Sequence, residues 1–290
     1  MIEKDKLMEF TEAEDSFLDF CLWEYQPNTS LANKFRSVNL LFYSFEIAGV
    51  DDKMFEICKS IRQSIGDWRT VWAVKQVGNN LSWEFYFYDY NRLLRDVSIS
   101  KALEVFRSFT NCELNINEDC LYFMFSIDID NDLVTGRRDL NEINVYLGDV
   151  SDHVSAGICY MLNENGLRMD NLYHFFDAET EMDQIADKVL SSLHLTLSDF
   201  NISRILMPEF IDCKTIVVAN KKYNDGIYFS RIKVEQLIIF LKMMKYPHEL
   251  VELVQTNQAK LNHLLYDVGI DYKMKDGNLE LLKGSFYGVF

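Results

Sequence analysis

The residues TVWAVKQVGNNLSWEFYFYDY, numbered 70–90, decide the fold of this chain. β-Branched and aromatic residues flank a Gly-Asn turn, a pattern typical of two antiparallel strands joined by a tight connection. Side chains alternate between the two faces of a strand, so Glu84, Tyr86 and Tyr88 share one face. The stretch therefore predicts a β-hairpin with acidic and aromatic side chains on one face. Residues 51–66, just before it, repeat apolar side chains at helical spacing and predict an amphipathic helix.

The same pairing of strands recurs along the chain. Hairpins are predicted at SAGICYML-NENG-LRMDNLYHFF (155–176), KTIVVANKK-YNDG-IYFSRI (214–232) and VGIDYKM-KDGN-LELLKGSFYGVF (268–290). Two further strands, LYFMFSIDI (121–129) and EINVYLG (142–148), lie on either side of a polar loop. Helical segments are predicted at 99–109, 179–193, 234–246 and 247–264. Strands that occur in pairs, rather than singly between helices, disfavour a parallel βαβ sheet.

We therefore predict an α+β fold, a closed ten-stranded antiparallel β-barrel built from repeated αββα units with the helices outside. No Pro-, Gly- or Ser-rich linker divides the sequence. Residues 1–290 are predicted to be one barrel domain, in which residues 1–50 form an N-terminal helical extension.

Composition narrows the classes of function. The 290 residues carry 29 Lys+Arg against 45 Asp+Glu, a formal net charge of −16, which disfavours nucleic acid and anionic membranes as partners. No apolar run is long enough to span a bilayer, and the acidic N-terminus has no apolar signal segment. The six cysteines are scattered without CxxC pairs and are predicted to be free thiols. We expect a cytoplasmic, monomeric protein that acts on small molecules.

Three stretches resemble the ABBA aromatic prenyltransferases, enzymes whose barrel is the PT barrel. Residues 50–87 are similar to the family's first repeat, MDNLYHF (169–175) to its Asn-aliphatic-Tyr strand, and VGIDYKMKDGNLELLKGSFYG (268–288) to its closing hairpin. The resemblance is based on the order and spacing of these stretches over residues 50–290. It implies a transferase, of the kind found in secondary metabolism, that moves a prenyl group from an allylic diphosphate to an aromatic acceptor.

The resemblance also implies roles for particular residues. Lumenal cations would hold the diphosphate, tyrosines would shield the allylic cation, and a carboxylate would hold Mg²⁺ or orient the acceptor. The implied diphosphate contacts are Lys75, Arg168, Arg231, Lys283 and Asn171. The implied cation shield and substrate contacts are Tyr86, Tyr146, Tyr173 and Tyr228, with Glu142 at a position that holds a lumenal Lys in the family. Glu84 is the implied catalytic base or magnesium ligand, and the prenyl diphosphate is the co-substrate.

The register of the strands leaves two functions open. Arg168, Arg231 and Lys283 lie one position from where a lumenal cation is expected, so a one-residue shift or a bulge decides whether they point inward. If they do, the chain transfers a prenyl group to an aromatic small molecule or an aromatic peptide side chain. If they do not, the alternative is a degenerate barrel that binds a neutral or cationic hydrophobic ligand. A third hypothesis is a role in protein interaction, in which the acidic exterior of the barrel binds a basic partner protein.

Other motifs are weaker. Asp128, Asp130 and Asp132 do not fit a calcium-binding loop, because the required Gly and bidentate Glu are missing. We interpret them as a strand end that runs into a polar loop. The five histidines show no metal-binding spacing.

Overall fold

The computed structural model describes residues 8–21, 23–89, 95–148, 156–195 and 201–290. Ten antiparallel strands form one closed barrel in the order β1-β10-β9-β8-β7-β6-β5-β4-β3-β2. The strands are β1 (Thr70–Val77), β2 (Asn80–Tyr88), β3 (Met124–Ile129), β4 (Glu142–Gly148), β5 (Ala156–Asn163), β6 (Gly166–Asp177), β7 (Thr215–Lys221), β8 (Asp225–Ile232), β9 (Tyr266–Lys275) and β10 (Asn278–Val289). The predicted closed barrel and its hairpin at residues 70–88 are confirmed.

Most of the helices precede the first strand pair or lie between strand pairs. Within the described residues the helices are α1 (Val38–Ala48), α2 (Lys53–Ile65), α3 (Ile99–Phe106), α4 (Asn131–Val134), α5 (Met182–Leu190), α6 (Val234–Met243), α7 (His248–Thr256) and α8 (Gln258–Leu261). The apolar stripe predicted at 51–66 is the buried face of α2. None of the helices in these residues is both long and apolar enough to cross a membrane.

The outward faces of the strands make the main apolar core. Trp72 on β1 packs edge-on against Phe286 on β10, with ring centroids 5.6 Å apart. Trp83 on β2 donates its indole N–H to Ser44 of α1 at 2.8 Å. Tyr246 donates to the carbonyl oxygens of Val74 and Gly284, which lie on neighbouring strands, at 2.9 Å each. These contacts fix the helices to the barrel wall and leave the opposite strand faces to line the lumen.

Bulges change which side chains face inward. On β10 the register shifts between Leu281 and Lys283, so that Leu281 pairs with Tyr272 while Lys283 pairs with Asp271. The extra residue, Leu282, turns Lys283 to the lumenal side. A second shift on β8 makes Arg231 the extra residue, and its φ of 67° is in the left-handed region.

Of the helical extension predicted over residues 1–50, the described residues form a helix only at α1, and residues 1–7 and 22 lie outside the described part of the chain. The described residues before α1, 8–21 and 23–37, contain no helix, and their Phe10 forms an isolated bridge with Phe35. The stretch Pro27-Asn28-Thr29-Ser30 is rich in turn formers that break a helix. Asp19 accepts the backbone N–H of Ser37 at 2.9 Å, so the segment is held in place by tertiary hydrogen bonds.

Candidate functional site in the barrel lumen

Five tyrosines line the middle of the lumen, one from each even-numbered strand. We call this set the tyrosine wall: Tyr86, Tyr146, Tyr173, Tyr228 and Tyr287. Ring centroids lie 5.8 Å apart for Tyr86 and Tyr287, and 5.9 Å apart for Tyr146 and Tyr173. Tyr228 lies 6.1 Å from Tyr173, so π faces surround the lumen at this level.

Small residues on the odd-numbered strands make room for these rings. Tyr287 pairs with Ala73, Tyr146 with Cys159, and Tyr173 with Ala219. The tightest case is Tyr228, which pairs with Gly269. A Cβ at position 269 would lie 2.4 Å from Cδ1 of Tyr228, so only glycine fits beneath this ring.

The tyrosine wall borders an apolar cavity of about 120 Å³, far larger than the roughly 10–15 Å³ that one water molecule needs. Its other lining residues include Tyr88, Met124 and Phe175, towards the end of the barrel where β1 begins and β2 ends. Cys21 of the N-terminal segment also lines the cavity, and Trp23 packs 6.4 Å from the ring of Phe175. The lining is apolar and aromatic, as in sites for organic molecules, and the volume approaches the roughly 150 Å³ of a cavity that holds benzene.

On the other side of the tyrosine wall lie three lysines and three carboxylates. We call this set the ion-pair layer: Lys75, Glu84, Asp128, Lys221, Asp271 and Lys283. Glu84 and Asp128 face each other across β2 and β3, and the ammonium of Lys75 contacts both. Glu84 lies 3.2 Å from Lys75 and also accepts hydrogen bonds from Tyr86 at 2.7 Å and Ser126 at 2.5 Å.

Asp271 binds the other two lysines. Its Oδ1 lies 2.5 Å from Nζ of Lys221, and its Oδ2 lies 3.0 Å from Nζ of Lys283. Lys221 and Asp271 lie on strands separated by β8, at the level of Gly226. A Cβ at position 226 would lie 3.0 Å from Oδ1 of Asp271 and 3.2 Å from Cε of Lys221, so the missing side chain leaves room for the pair.

These contacts shift the pKa values of the layer. Burial alone would raise the pKa of Glu84, but the Lys75 ammonium and the Ser126 hydrogen bond outweigh it and lower the pKa to about 2. Burial also opposes ionisation of Asp271, yet Lys221 and Lys283 lower its pKa to about 2. For Lys283, burial and the nearby charge of Lys221 lower the pKa. The lysines thus hold Glu84 and Asp271 ionised, whereas burial and the charge of Glu84 raise the pKa of Asp128.

The ion-pair layer touches the tyrosine wall directly. Nζ of Lys221 lies 5.6 Å from the ring centroid of Tyr228, within the range of a cation–π contact. The hydroxyl groups of Ser126 and Tyr146 lie 3.4 Å apart. Asn171 pairs with Lys221 in the sheet register, and its amide donates to the hydroxyl of Tyr173 at 3.4 Å. The rings and hydroxyl groups of the tyrosine wall therefore lie between the cavity and the charged layer, and they contact the layer directly.

The structure brings most of the predicted site residues together. Those in the lumen are Lys75, Glu84, Tyr86, Tyr146, Asn171, Tyr173, Tyr228 and Lys283. Glu142, at the start of β4, is on the face of Tyr146 but is exposed at the barrel rim.

One predicted diphosphate contact, Arg231, needs correction, and another, Arg168, lies at the exposed rim of the barrel. Arg231 is the bulged residue of β8, and its guanidinium donates to the carbonyls of Trp23 and Glu24 at 3.2 and 3.1 Å, on the side of the barrel away from the lysines. A register shift between β5 and β6 places Arg168 opposite Met161, on the face that Met161 shares with lumenal Cys159, but the Arg168 side chain is exposed and contacts the Met161 sulfur at 3.6 Å. In the described part of the chain, neither forms an ion pair with the carboxylates of the layer.

Sequence reasoning missed Lys221, Asp271 and Tyr287, and it treated Asp128 only as a strand end. Asp128 does lie near the end of β3, but its carboxylate also faces Glu84. The period of two along Val217, Ala219 and Lys221 could have placed Lys221 in the lumen. Because Leu282 is an extra residue, counting alternate residues from the start of β10 places Lys283 and Tyr287 on the wrong face of the strand.

The prediction that Glu84 is a magnesium ligand finds little support in the geometry. Among the described residues, no three His, Cys, Asp or Glu side chains are grouped so that they could hold a metal ion. The ammonium of Lys75 already lies between the carboxylates of Glu84 and Asp128. The residues present do not fit a protein-held divalent cation at this position, so no step of the chemistry below depends on one.

Comparison with known proteins gives no family for this chain. No protein-family model matches it, and no curated protein is similar to it at a significant level.

Proposed function

We propose that this protein transfers a prenyl group from an allylic diphosphate to an aromatic acceptor, a small molecule or an aromatic side chain of a peptide. The single observation that carries the proposal is a wall of five tyrosines with an apolar cavity on one side and three lumenal lysines on the other, where Nζ of Lys221 lies 5.6 Å from the ring centroid of Tyr228. A diphosphate leaving group needs cations, and an allylic carbocation needs π faces without water. The lumen supplies the two side by side.

The chemistry follows from this arrangement. The bond between the allylic carbon and the diphosphate oxygen breaks, and the diphosphate leaves with the electron pair. Lys75, Lys221 and Lys283 stabilise the developing charge on the diphosphate. The tyrosine wall shields the allylic cation until the acceptor ring forms the new carbon–carbon or carbon–oxygen bond. Glu84 takes up the proton that the acceptor loses, directly or through the hydroxyl of Tyr86, which it already binds at 2.7 Å.

The same proposal assigns the chain to the ABBA prenyltransferases, with its barrel as five αββα units and its activity in the cytoplasm. The closed ten-stranded barrel supports the assignment. So do α3, α5 and the group α6–α8, which separate successive strand pairs. The short α4, which lies between the paired strands β3 and β4, departs from a regular repeat.

One observation favours a second function. Every lysine of the ion-pair layer already contacts a carboxylate, and three lysines balance three carboxylates. A lumen without net positive charge suits a barrel that binds a neutral or cationic hydrophobic ligand and carries out no diphosphate chemistry.

Product analysis separates the two functions. The protein is incubated with dimethylallyl or geranyl diphosphate and a panel of phenols, indoles and aromatic peptides, with and without Mg²⁺. Mass spectrometry then follows the acceptors, and a phosphate assay follows diphosphate release.

Prenyl transfer predicts an acceptor heavier by one prenyl group and strong loss of product in Lys221→Met. The exposed neighbour Lys222 supplies the matched control, Lys222→Met, which keeps activity. If no acceptor is modified and no diphosphate is released, the proposal is wrong and the binding function remains.

A further inference from the structure

Asp267 contributes a carboxylate to the cavity, on the side of the tyrosine wall opposite the ion-pair layer. It lies near the start of β9 on the lumenal face that also carries Gly269 and Asp271. Together with Ser230 and Cys21 it lines the end of the cavity towards the N-terminal segment. It is the sole Asp, Glu, Lys or Arg among the described residues that line this cavity.

The carboxylate of Asp267 accepts hydrogen bonds but forms no ion pair with the described residues. Its Oδ1 accepts the backbone N–H of Arg231 at 3.0 Å, a donor that the β8 bulge releases from the sheet. The guanidinium of Arg231 instead binds the carbonyls of Trp23 and Glu24. None of the ion pairs in the described ranges includes Asp267. Burial raises the pKa of this carboxyl, and the hydrogen bonds from Ser230 and Arg231 and the nearby charge of Arg231 only partly oppose that rise.

The carboxylate of Asp267 and the tyrosine rings of the cavity both favour a ligand that carries an organic cation. A partly buried carboxylate gains from a cation that arrives with the ligand, because the pair then compensates the desolvation of both charges. The π faces of Tyr228 and Tyr287 stabilise a nearby organic cation as well. The overall charge of −16 draws cations rather than anions towards the protein.

We propose that Asp267 is a specificity-determining residue that selects an aromatic acceptor bearing a protonated amine. The ammonium group binds the carboxylate of Asp267, and the aromatic ring lies against the tyrosine wall. This orientation directs the ring towards the ion-pair layer, where the prenyl diphosphate would be held. The inference rests on the proposed function, because only a prenyl transferase has an acceptor. The preference of the cavity for an amine is a binding property and can be measured without any transfer reaction.

The test compares tyramine with tyrosol, which share a phenol ring and a two-carbon chain and differ in an ammonium against a hydroxyl group. Calorimetric titration of the wild-type protein at neutral pH is expected to show tyramine bound at least about tenfold more tightly, as for a hydrogen bond between charged groups. Asp267→Asn keeps an oxygen for the N–H of Arg231, so the bulge is preserved. This variant is expected to lose the preference for tyramine and to bind tyrosol as the wild type does.

The matched control is Asp276→Asn. Asp276 lies exposed in the β9–β10 turn, so its substitution makes the same change in net charge away from the cavity. The control is expected to keep the full preference. Equal affinities in the wild type, no binding of tyramine, or a preference that survives in Asp267→Asn would each overturn the proposal. A separate titration with geranyl diphosphate reports on the proposed function, so failure of one is distinguishable from failure of the other.

Discussion

The ammonium of Lys221 and the carboxylate of Asp271 lie 2.5 Å apart although β8 runs between the strands that carry them. The contact passes over Gly226, which presents no side chain to the lumen. Asp271 holds Lys283 as well, so one carboxylate connects two of the three lumenal lysines. The geometry of the lysines therefore depends on a glycine that carries no charge itself.

Gly226→Ala tests this dependence. The new Cβ would lie 3.0 Å from Oδ1 of Asp271, closer than side-chain carbons normally approach, so the Lys221–Asp271 pair has to shift. We expect a loss of about 1–3 kcal/mol in the free energy of unfolding, measured in urea, from overpacking. Gly157→Ala is the control, because a Cβ there meets its nearest atom at an ordinary 3.7 Å. Equal effects of the two substitutions would contradict the role given to Gly226.

Gly269→Ala tests the packing of the tyrosine wall. A Cβ at this position would come within 2.4 Å of Cδ1 of Tyr228, so the ring has to rotate into the cavity. We expect weaker binding of any ligand that fills the cavity and a lower melting temperature, both read by thermal-shift titration. If the double variant Gly269→Ala, Tyr228→Leu is no more stable than Gly269→Ala alone, the clash is not the cause.

Asp271→Asn is expected to change stability and diphosphate affinity in opposite directions. It leaves the buried Lys221 without a counter-ion, and breaking a buried pair from one side costs roughly 3–5 kcal/mol of unfolding free energy. It also removes a carboxylate that competes with diphosphate for two lysines, so the affinity for geranyl diphosphate is expected to rise. Asp212→Asn breaks the exposed pair with Lys233 and should cost at most about 1 kcal/mol. Lower affinity for diphosphate in Asp271→Asn would show that the carboxylate assists binding rather than competes.

Acid should weaken the fold through Glu84 and Asp271. Their pKa values of about 2 lie below the usual values of 4.5 and 3.8, so the folded protein holds fewer protons than the unfolded chain in this range. Their contribution is complete above pH of about 4.5 and declines as the pH falls towards 2. Unfolding free energies measured between pH 5 and 2 should fall less steeply in Glu84→Gln than in the wild type. An unchanged slope would mean that Glu84 is not held ionised by Lys75.

Much of the fold follows from sequence patterns, and the parts that do not have identifiable causes. Residues 70–77 and 80–88 alternate with a period of two on either side of a Gly-containing turn. This local pattern predicts the strands β1 and β2 that the structure contains. The N-terminal segment was harder to predict, because hydrogen bonds such as that from the N–H of Ser37 to Asp19 join residues far apart in sequence.

The candidate site was easiest to predict where the strands are regular. Alternation places Lys75, Glu84 and Tyr86 correctly because β1 and β2 pair without interruption. At Arg231 a single extra residue reverses the alternation, and at Lys283 another turns a residue of the wrong parity into the lumen. Contacts across an intervening strand, such as Lys221 with Asp271, leave no local pattern in the sequence.

The most direct test of prenyl transfer is calorimetric titration with the thiolodiphosphate analogue of geranyl diphosphate, which binds without ionising. The account predicts saturable binding of one molecule to the wild type. It predicts affinity at least about tenfold lower in Lys221→Met, since hydrogen bonds between charged groups are worth about 1.5–3 kcal/mol, and unchanged affinity in Lys222→Met. No binding to the wild type, or equal binding by all three proteins, would contradict a diphosphate site in the lumen.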